Sequence, residues 1–468
     1  MSPKATLVAA LLFAPIASSA ANPPPLGPWH ASAVAMLDHM VSVPTVLGRD
    51  RVPELAQWLA DQYRAAGFPD ADIRIMPYER TAALIVRWRA PGKPKSKPIM
   101  VMAHLDVVEA RREDWSAADP FVLTEKDGYY YGRGTIDIKQ GVTATTIAIF
   151  RLKASGFRPK RDIVMFYTGD EETKGKGAEL GATEWRALLD PEFGLNADGG
   201  GGEFAADGTP IGFTLESAEK TYADYTFTVR NRGGHSSKPR PDNAIYQLAN
   251  ALHRLETYRF EPVLNDTTRA YFSGREKSEA GPLGDAMRAW LKNPADGKAA
   301  DFIEADEEEV GLTRTRCVAT RLFGGHADNA LPQLATATIN CRIMPGVSPD
   351  AIKAELEKIV ADQNVVVTRN DSYAASLDSP LRPDVVRAYT EAVHALHPTS
   401  PILHAMATGA SDGKPFRVAG VPVYGVDGSW VISPIDLRAH GADERLPVKA
   451  LDDDVEHWVL LLGKLAGN

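Results

Sequence analysis

Cysteine is nearly absent from this chain. Among its 468 residues there are two, Cys317 and Cys341, too few for a disulfide-built scaffold or a thiolate metal site. Any metal must therefore be held by His, Asp and Glu. Long basic runs are missing as well, and the formal net charge of -9 argues against a nucleic-acid binder, which needs a basic stripe for the phosphates. Past the first residues, no apolar run has the length of a membrane span. What remains is the composition of a soluble globular protein, 44% hydrophobic and 24% charged, enough for a sizeable core. Single cores stop growing at roughly 250 to 300 residues, so the length predicts two domains.

The N-terminus reads as a processing signal. Lys4 precedes an apolar run over 5–17, then Ser18-Ser-Ala-Ala21 and the prolines from Pro23. A short basic region, an apolar stretch and small residues predict export with cleavage near Ala20 or Ala21, hence a periplasmic or secreted protein. A buried helix or a membrane anchor is the alternative, but the run is short for spanning.

Apolar runs of strand length at 83–88, 98–103, 162–168 and 193–197 alternate with helix-like patterns at 141–154 and 177–189, which predicts an α/β fold, a sheet with helices on both faces. The middle differs. Residues 221–230 alternate polar and apolar, 243–255 form an amphipathic helix, and strand-like runs at 314–322 and 335–343 carry the two cysteines. An antiparallel pairing would set these opposite each other, which leaves the bridge open. With a helix at 350–361 and a strand at 365–368, this makes a smaller α+β unit. Residues 262–312, with Asp306-Glu-Glu-Glu-Val310, read as an insertion without diagnostic pattern. The α/β pattern resumes with helices at 384–396 and 448–465, the second opened by Pro447, and a strand at 421–425. The expected organisation is a signal at 1–21, one domain split between 22–216 and 372–468, and an inserted domain over 217–371.

In such sheets ligands bind where strands end. His104 directly follows the run ending at Ala103, and Asp106, two positions on, can hold the other imidazole nitrogen; a surface loop with a His and an Asp is the plainer alternative. Asp137 ends the glycine-rich turn Tyr131-Gly-Arg-Gly-Thr-Ile-Asp137 before a helix, as an N-cap or as a carboxylate bridging two metals. Asp170-Glu171-Glu172 follows the run ending at Thr168; acids so close raise one another's pKa unless a cation binds them or water solvates the turn. Asp198 stands before four glycines, in a plain turn or as a ligand. Arg438-Ala-His440-Gly-Ala-Asp-Glu444 supplies a second histidine. Together His104, Asp137, Glu172, Asp198 and His440 form a nitrogen and oxygen donor set of the kind zinc accepts.

In order and surroundings these motifs resemble the two-zinc aminoacylase and carboxypeptidase family of metallopeptidases, family twenty, with glutamate carboxypeptidase, carboxypeptidase S, succinyl-diaminopimelate desuccinylase and acetylornithine deacetylase among its members. The resemblance covers nearly all of the chain after the signal. It implies a zinc-exopeptidase fold, a split catalytic domain with a helix-covered mixed sheet and an inserted lid or dimerisation domain. It also implies two Zn2+ ions per subunit, with Co2+ or Mn2+ as substitutes. Asp137 would bridge them, His104 and Asp198 would complete one site, and Glu172 and His440 the other. Glu171 would be the general base and Asp106 the partner of His104. A cis peptide after the bridging acid would fall between Asp137 and Ile138. In the inserted domain Gly233-Gly-His235-Ser-Ser237 matches the family's signature, with His235 on the developing oxyanion, from the same subunit or a dimer partner. Asn329 and Arg342 would grip a substrate carboxylate, and Gly409, in Thr408-Gly-Ala-Ser-Asp412, would line the substrate pocket. Arg342 as a structural ion-pair partner is the alternative. The implied substrate is a small peptide or an N-acyl amino acid. The implied activity is hydrolysis of an amide next to a free carboxylate, as a carboxypeptidase first, then as a deacylase or dipeptidase. An inactive exported peptide-binding protein is the reading from another class, but no ligand or base is missing.

Overall fold

The pattern of burial sorts the strands into two sheets of different character. In the computed structural model, which describes residues 27–306, 309–370 and 374–467, eight strands form one mixed sheet. Their order is Ile73–Tyr78, Thr81–Trp88, Ile163–Thr168, Ile99–His104, Phe193–Phe204, Val423–Ile432, Pro210–Glu219 and Ile402–Ala407. The strands from Ile163–Thr168 to Val423–Ile432 in that order are mutually parallel. Every residue of Ile99–His104 and Ile163–Thr168 is buried, as befits parallel strands covered on both faces. Ile99, Val101 and Ala103 enter a core shared with helices His30–Ser42, Lys139–Ala154 and Val448–Gly467. Met100 and Met102 enter a second core, with Lys176–Ala182 and Gly413–Val418. The export signal expected over 1–21 lies outside the described residues.

The second sheet is antiparallel, in the order Arg316–Gly324, Leu334–Ile343, Thr221–Arg230, Val365–Arg369. Thr221–Arg230 buries every second residue, with Ala223, Tyr225, Phe227 and Val229 packed among Leu248 and Ala251 of helix Ala244–Thr257 and Ile352 and Leu356 of Pro349–Val360. That is the alternation of a sheet with one covered face. Asn243 starts the first of these helices by accepting the N–H groups of Ile245 and Tyr246, filling an N-cap.

Two expectations change. The helix expected over 177–189 is two short ones, Lys176–Ala182 and Arg186–Leu189. Thr183 leaves helical geometry between them, and Trp185 stacks edge-on against Tyr78 at 5.7 Å. The segment over 262–312, in which the sequence showed no diagnostic pattern, is helical. It folds into helices Asp266–Ser278, Pro282–Lys292 and Gly297–Ile303 around Phe272, Met287, Trp290 and Ile303, and the first packs along the edge strand Ile402–Ala407. An edge covered in this way cannot pair with another chain.

Cys317 and Cys341 are directly opposed in the ladder and bonded to each other, with a Cα–Cα separation of 4.1 Å. A bridge over a sequence separation of 24 residues constrains the unfolded chain by about 3 kcal/mol. The untreated protein is therefore expected to take up a thiol-alkylating reagent only after reduction, read by intact mass. Cys317→Ser with Cys341→Ser should lower the thermal midpoint; an unchanged midpoint would show that the bridge adds no stability.

Candidate metal centre

The parallel strands set their C-terminal ends side by side, so the segments leaving them meet. His104 ends Ile99–His104, Glu171 and Glu172 follow Ile163–Thr168, Asp198 lies within Phe193–Phe204, and His440 lies in the turn after Val423–Ile432. Asp137 stands just before helix Lys139–Ala154, and its peptide bond to Ile138 is cis, at the position implied by the resemblance.

Two donor groups result, and they share Asp137: His104, Asp137 and Asp198 in one, Asp137, Glu172 and His440 in the other. His104 Nε2 lies 3.2 Å from Asp137 Oδ1 and 3.8 Å from Asp198 Oδ2. His440 Nε2 lies 3.1 Å from Asp137 Oδ2 and 2.9 Å from Glu172 Oε2. Each oxygen of Asp137 thus faces a different imidazole.

Neighbouring groups hold this arrangement. The carboxylate of Asp106 accepts the backbone N–H groups of Glu171 and Glu172, at 3.2 and 3.1 Å. The nearest acceptor for His104 Nδ1 is the Asp106 carbonyl at 3.0 Å, with the carboxylate at 3.5 Å. Asp106 therefore orients the acid pair with its side chain and the imidazole mainly with its backbone. Asp170 accepts from Tyr78 Oη and from the N–H groups of Lys176 and Gly177, which pins the turn from below. The buried Lys139 donates to the carbonyls of Met40 and Val43, at the open end of helix His30–Ser42, where carbonyls lack partners.

Electrostatics favour a cation here. Burial, reinforced by Asp412, Glu172 and Asp106, pushes the Glu171 carboxyl up to about 9. Burial and Asp137 push Glu172 up to about 7, and burial raises Asp198 well above the carboxylate range. For Asp137, contacts with His104 and His440 outweigh burial and hold it below that range. Asp137 pushes His440 up to about 9. His104 Nε2 is buried and makes no aligned hydrogen bond, so a donor nitrogen stands ready. Crowded acids with two imidazoles fit a divalent cation such as zinc.

The residues expected to contact substrate fall into two places. His235 and Asn329 meet, since Gly234–His235 pairs with Ala330–Leu331 and Ser236 N–H donates to the Asn329 carbonyl at 3.0 Å. Arg342 lies at the other end of Leu334–Ile343, roughly 25 Å along the strand at about 3.3 Å per residue. The expectation that Asn329 and Arg342 grip one carboxylate therefore fails within a single copy of the chain. Arg342 instead adjoins the loop of Gly409, donating to the Thr408 carbonyl at 3.2 Å and stacking 4.9 Å from the Tyr222 ring. Gly409 is exposed, and a side chain there would meet nothing within 4 Å, so the unliganded protein does not itself require glycine.

Two acids at the centre escaped the sequence reading although both lie in motifs it singled out. Asp412, buried, accepts from Thr168 Oγ1, and burial pushes it up to about 7. Glu444, fully buried, accepts the N–H groups of Gly134, Ile136 and Asp137. Nothing in a local pattern distinguishes such residues from solvated acids.

Residues 100–464 match the peptidase family M20/M25/M40. The chain belongs to that family. It is 29% identical over 381 residues to the human N-fatty-acyl-amino acid synthase/hydrolase PM20D1, across 78% of this chain and 73% of that one. It is 30% identical over 302 residues to a probable carboxypeptidase S-like 2 of Dictyostelium discoideum, across 61% of this chain and 56% of that one. Its fold is similar to that of the M20 metallo-carboxypeptidase Sso-CP2 from Sulfolobus solfataricus, with a TM-score of 0.68 at 17% identity, covering 93% and 99% of the two chains. This M20 chain is thus a hydrolase of peptide or amide bonds.

Because Asp137 offers one oxygen to each group, Asp137→Ala is expected to weaken the uptake of two zinc ions together, whereas Asp198→Ala weakens mainly one step. Titration calorimetry separates these outcomes; an unchanged second step in Asp137→Ala would remove it as the shared ligand. Protons compete for Glu172 up to about pH 7 and for His440 up to about pH 9, so zinc affinity should rise from pH 6 to pH 9.

Proposed function

We propose that this protein hydrolyses an amide bond adjacent to a free carboxylate, and that it acts as a carboxypeptidase releasing C-terminal amino acids from short peptides. The observation that carries this reading is the pair of donor groups joined through Asp137, with Glu171 beside them. No hydrogen bond from a described residue ties down the Glu171 carboxylate, which leaves it free to move protons.

His104 and Asp198 would hold one zinc ion, Glu172 and His440 the other, and Asp137 both; cobalt or manganese are alternatives. Bound there, the ions supply Lewis acidity to a water and to the scissile carbonyl. The positive charge of the two cations would oppose the burial and neighbouring acids that raise the Glu171 carboxyl, so that, ionised, Glu171 takes the proton of the attacking water and hands it to the leaving nitrogen. Asp106 keeps Glu171 and Glu172 in place through their backbone N–H groups. His235 Nδ1 accepts from Ser237 N–H at 3.1 Å, so in the neutral ring the proton sits on Nε2, ready to donate to an oxyanion. The Arg342 guanidinium offers a fork to the substrate carboxylate.

His235 and Asn329 join Arg342 at one substrate only when a second copy of the chain supplies them. A homodimer through the domain at 217–371 fits this need. The outer strand Arg316–Gly324, with Val318, Leu322 and Phe323 exposed, is an edge such a partner would cover. Export to the periplasm or medium, the expectation drawn from the residue pattern over 1–21, accords with the disulfide, a bond of oxidising compartments. Among the described residues no helix is long and apolar enough to cross a membrane.

A second reading, hydrolysis of N-acyl amino acids, is favoured by the similarity to the human synthase/hydrolase. Both share the amide and the free carboxylate and differ on the acyl side. Mass spectrometry after incubation of the zinc-loaded protein with short peptides and N-acyl amino acids decides between them. Stepwise loss of C-terminal residues supports the carboxypeptidase, cleavage of acylated single amino acids alone supports the deacylase, and no cleavage defeats both on that panel. Glu171→Gln is expected to lower kcat by at least roughly a hundredfold with both ions retained; undiminished turnover would remove Glu171 as the base. Arg342→Ala should raise KM for substrates with a free carboxylate far more than for their amides; an equal rise would defeat the clamp.

A further inference from the structure

Asp137 and His440 come from segments some three hundred residues apart in the chain, yet they must meet within hydrogen-bonding distance for the two donor groups to be joined. The turn carrying His440 has little regular structure of its own. His440 and Asp443 both adopt left-handed backbone, at φ 63° and 52°, which non-glycine residues hold only when the surroundings enforce it.

One buried carboxylate spans the two segments. Glu444 Oε1 accepts three N–H groups of the Asp137 loop, from Gly134 at 3.0 Å, Ile136 at 2.8 Å and Asp137 itself at 3.2 Å. Its Oε2 accepts Arg133 Nη1 at 2.5 Å. The other arm of Arg133 returns to the His440 turn, with Nη2 donating to the Gly441 carbonyl at 2.9 Å. Gly132 N–H donates to the Glu444 carbonyl at 3.1 Å. The far side of the turn is fastened by Asp443, whose carboxylate accepts the N–H groups of Ser116 and Ala117 and the Ser116 hydroxyl. Glu444 and Arg133 are both buried.

We propose that Glu444, backed by Arg133, is the positioning residue that sets Asp137 against His440 and so makes one centre of the two donor groups. Stability alone is a poor reason for this pair, because a buried ion pair contributes little net stability beside an apolar pair of the same shape. The contacts give a better reason. The loop from Gly134 to Asp137 forms no ladder, and its inward N–H groups need an acceptor; a single carboxylate oxygen that takes three of them fixes the direction of the Asp137 side chain. Loss of an outer partner of this kind typically weakens metal binding by roughly ten- to a hundredfold.

The proposal rests on the two-cation reading, and the test separates the two. Metal-free full-length protein is titrated with Zn2+ against a chromophoric chelator, native mass spectrometry counts the bound ions, and circular dichroism follows the fold. In Glu444→Ala the affinity for the ion that depends on His440 is expected to fall by roughly a hundredfold, while the fold melts as one transition. Glu444→Gln keeps an acceptor for the three N–H groups but loses the charge facing Arg133, and it should recover much of that affinity. Should Glu444→Ala not fold, Glu444→Gln and Arg133→Lys carry the test, each with an expected loss of roughly tenfold. Two ions held within twofold of the unaltered affinity in every folded variant would overturn the proposal. Fewer than two ions on the unaltered protein would overturn the two-cation reading and the proposal with it, and the unaltered titration alone reveals that outcome.

Discussion

The structure depends on keeping several carboxylates close together in a place with little water. Glu171, Glu172, Asp198 and Asp412 lie near one another, and burial raises the pKa of each. Such crowding is unfavourable unless opposite charge is at hand. Two imidazoles relieve it in part, and a bound cation relieves it further. The mixed sheet supplies the rigidity: parallel strands buried on both faces bring His104 and the acid pair into register, because their neighbours in the ladder leave them no freedom to slip.

Around the centre, several polar side chains serve the backbone. Asp106, Asp170, Lys139 and Glu444 each satisfy backbone donors or acceptors of irregular segments. Loops next to an active site cannot satisfy their backbone in ladders and still reach inward, so side chains take over that task. This division explains why adjacent acids do different work: Asp170 is used up by the turn, Glu172 faces His440, and the Glu171 carboxylate takes no hydrogen bond from a described residue.

The second sheet follows a looser logic. Its one covered face is built from alternating apolar residues, and its outer strand is open at the edge. The separation of Arg342 from His235 and Asn329 follows directly from the length of Leu334–Ile343. This sheet presents different groups at its two ends, Arg342 at one and His235 with Asn329 at the other.

Periodicity in the sequence was enough to locate the buried strands near His104, Glu172 and Asp198 and the alternating strand Thr221–Arg230, because burial on two faces or on one leaves a direct mark on residue order. The five candidate donors were legible only as a set: each alone has a plainer use in a loop, a turn or an N-cap, and their order along the chain carried the resemblance to a two-metal family. What sequence order could not carry was distance between segments remote in the chain. The pairing of Asp137 with His440, the three N–H groups on Glu444, the helical fold of the segment over 262–312 and the parting of Asn329 from Arg342 all arise from how the segments pack. Local pattern records which face of an element is buried, whereas only the tertiary structure decides what that face meets.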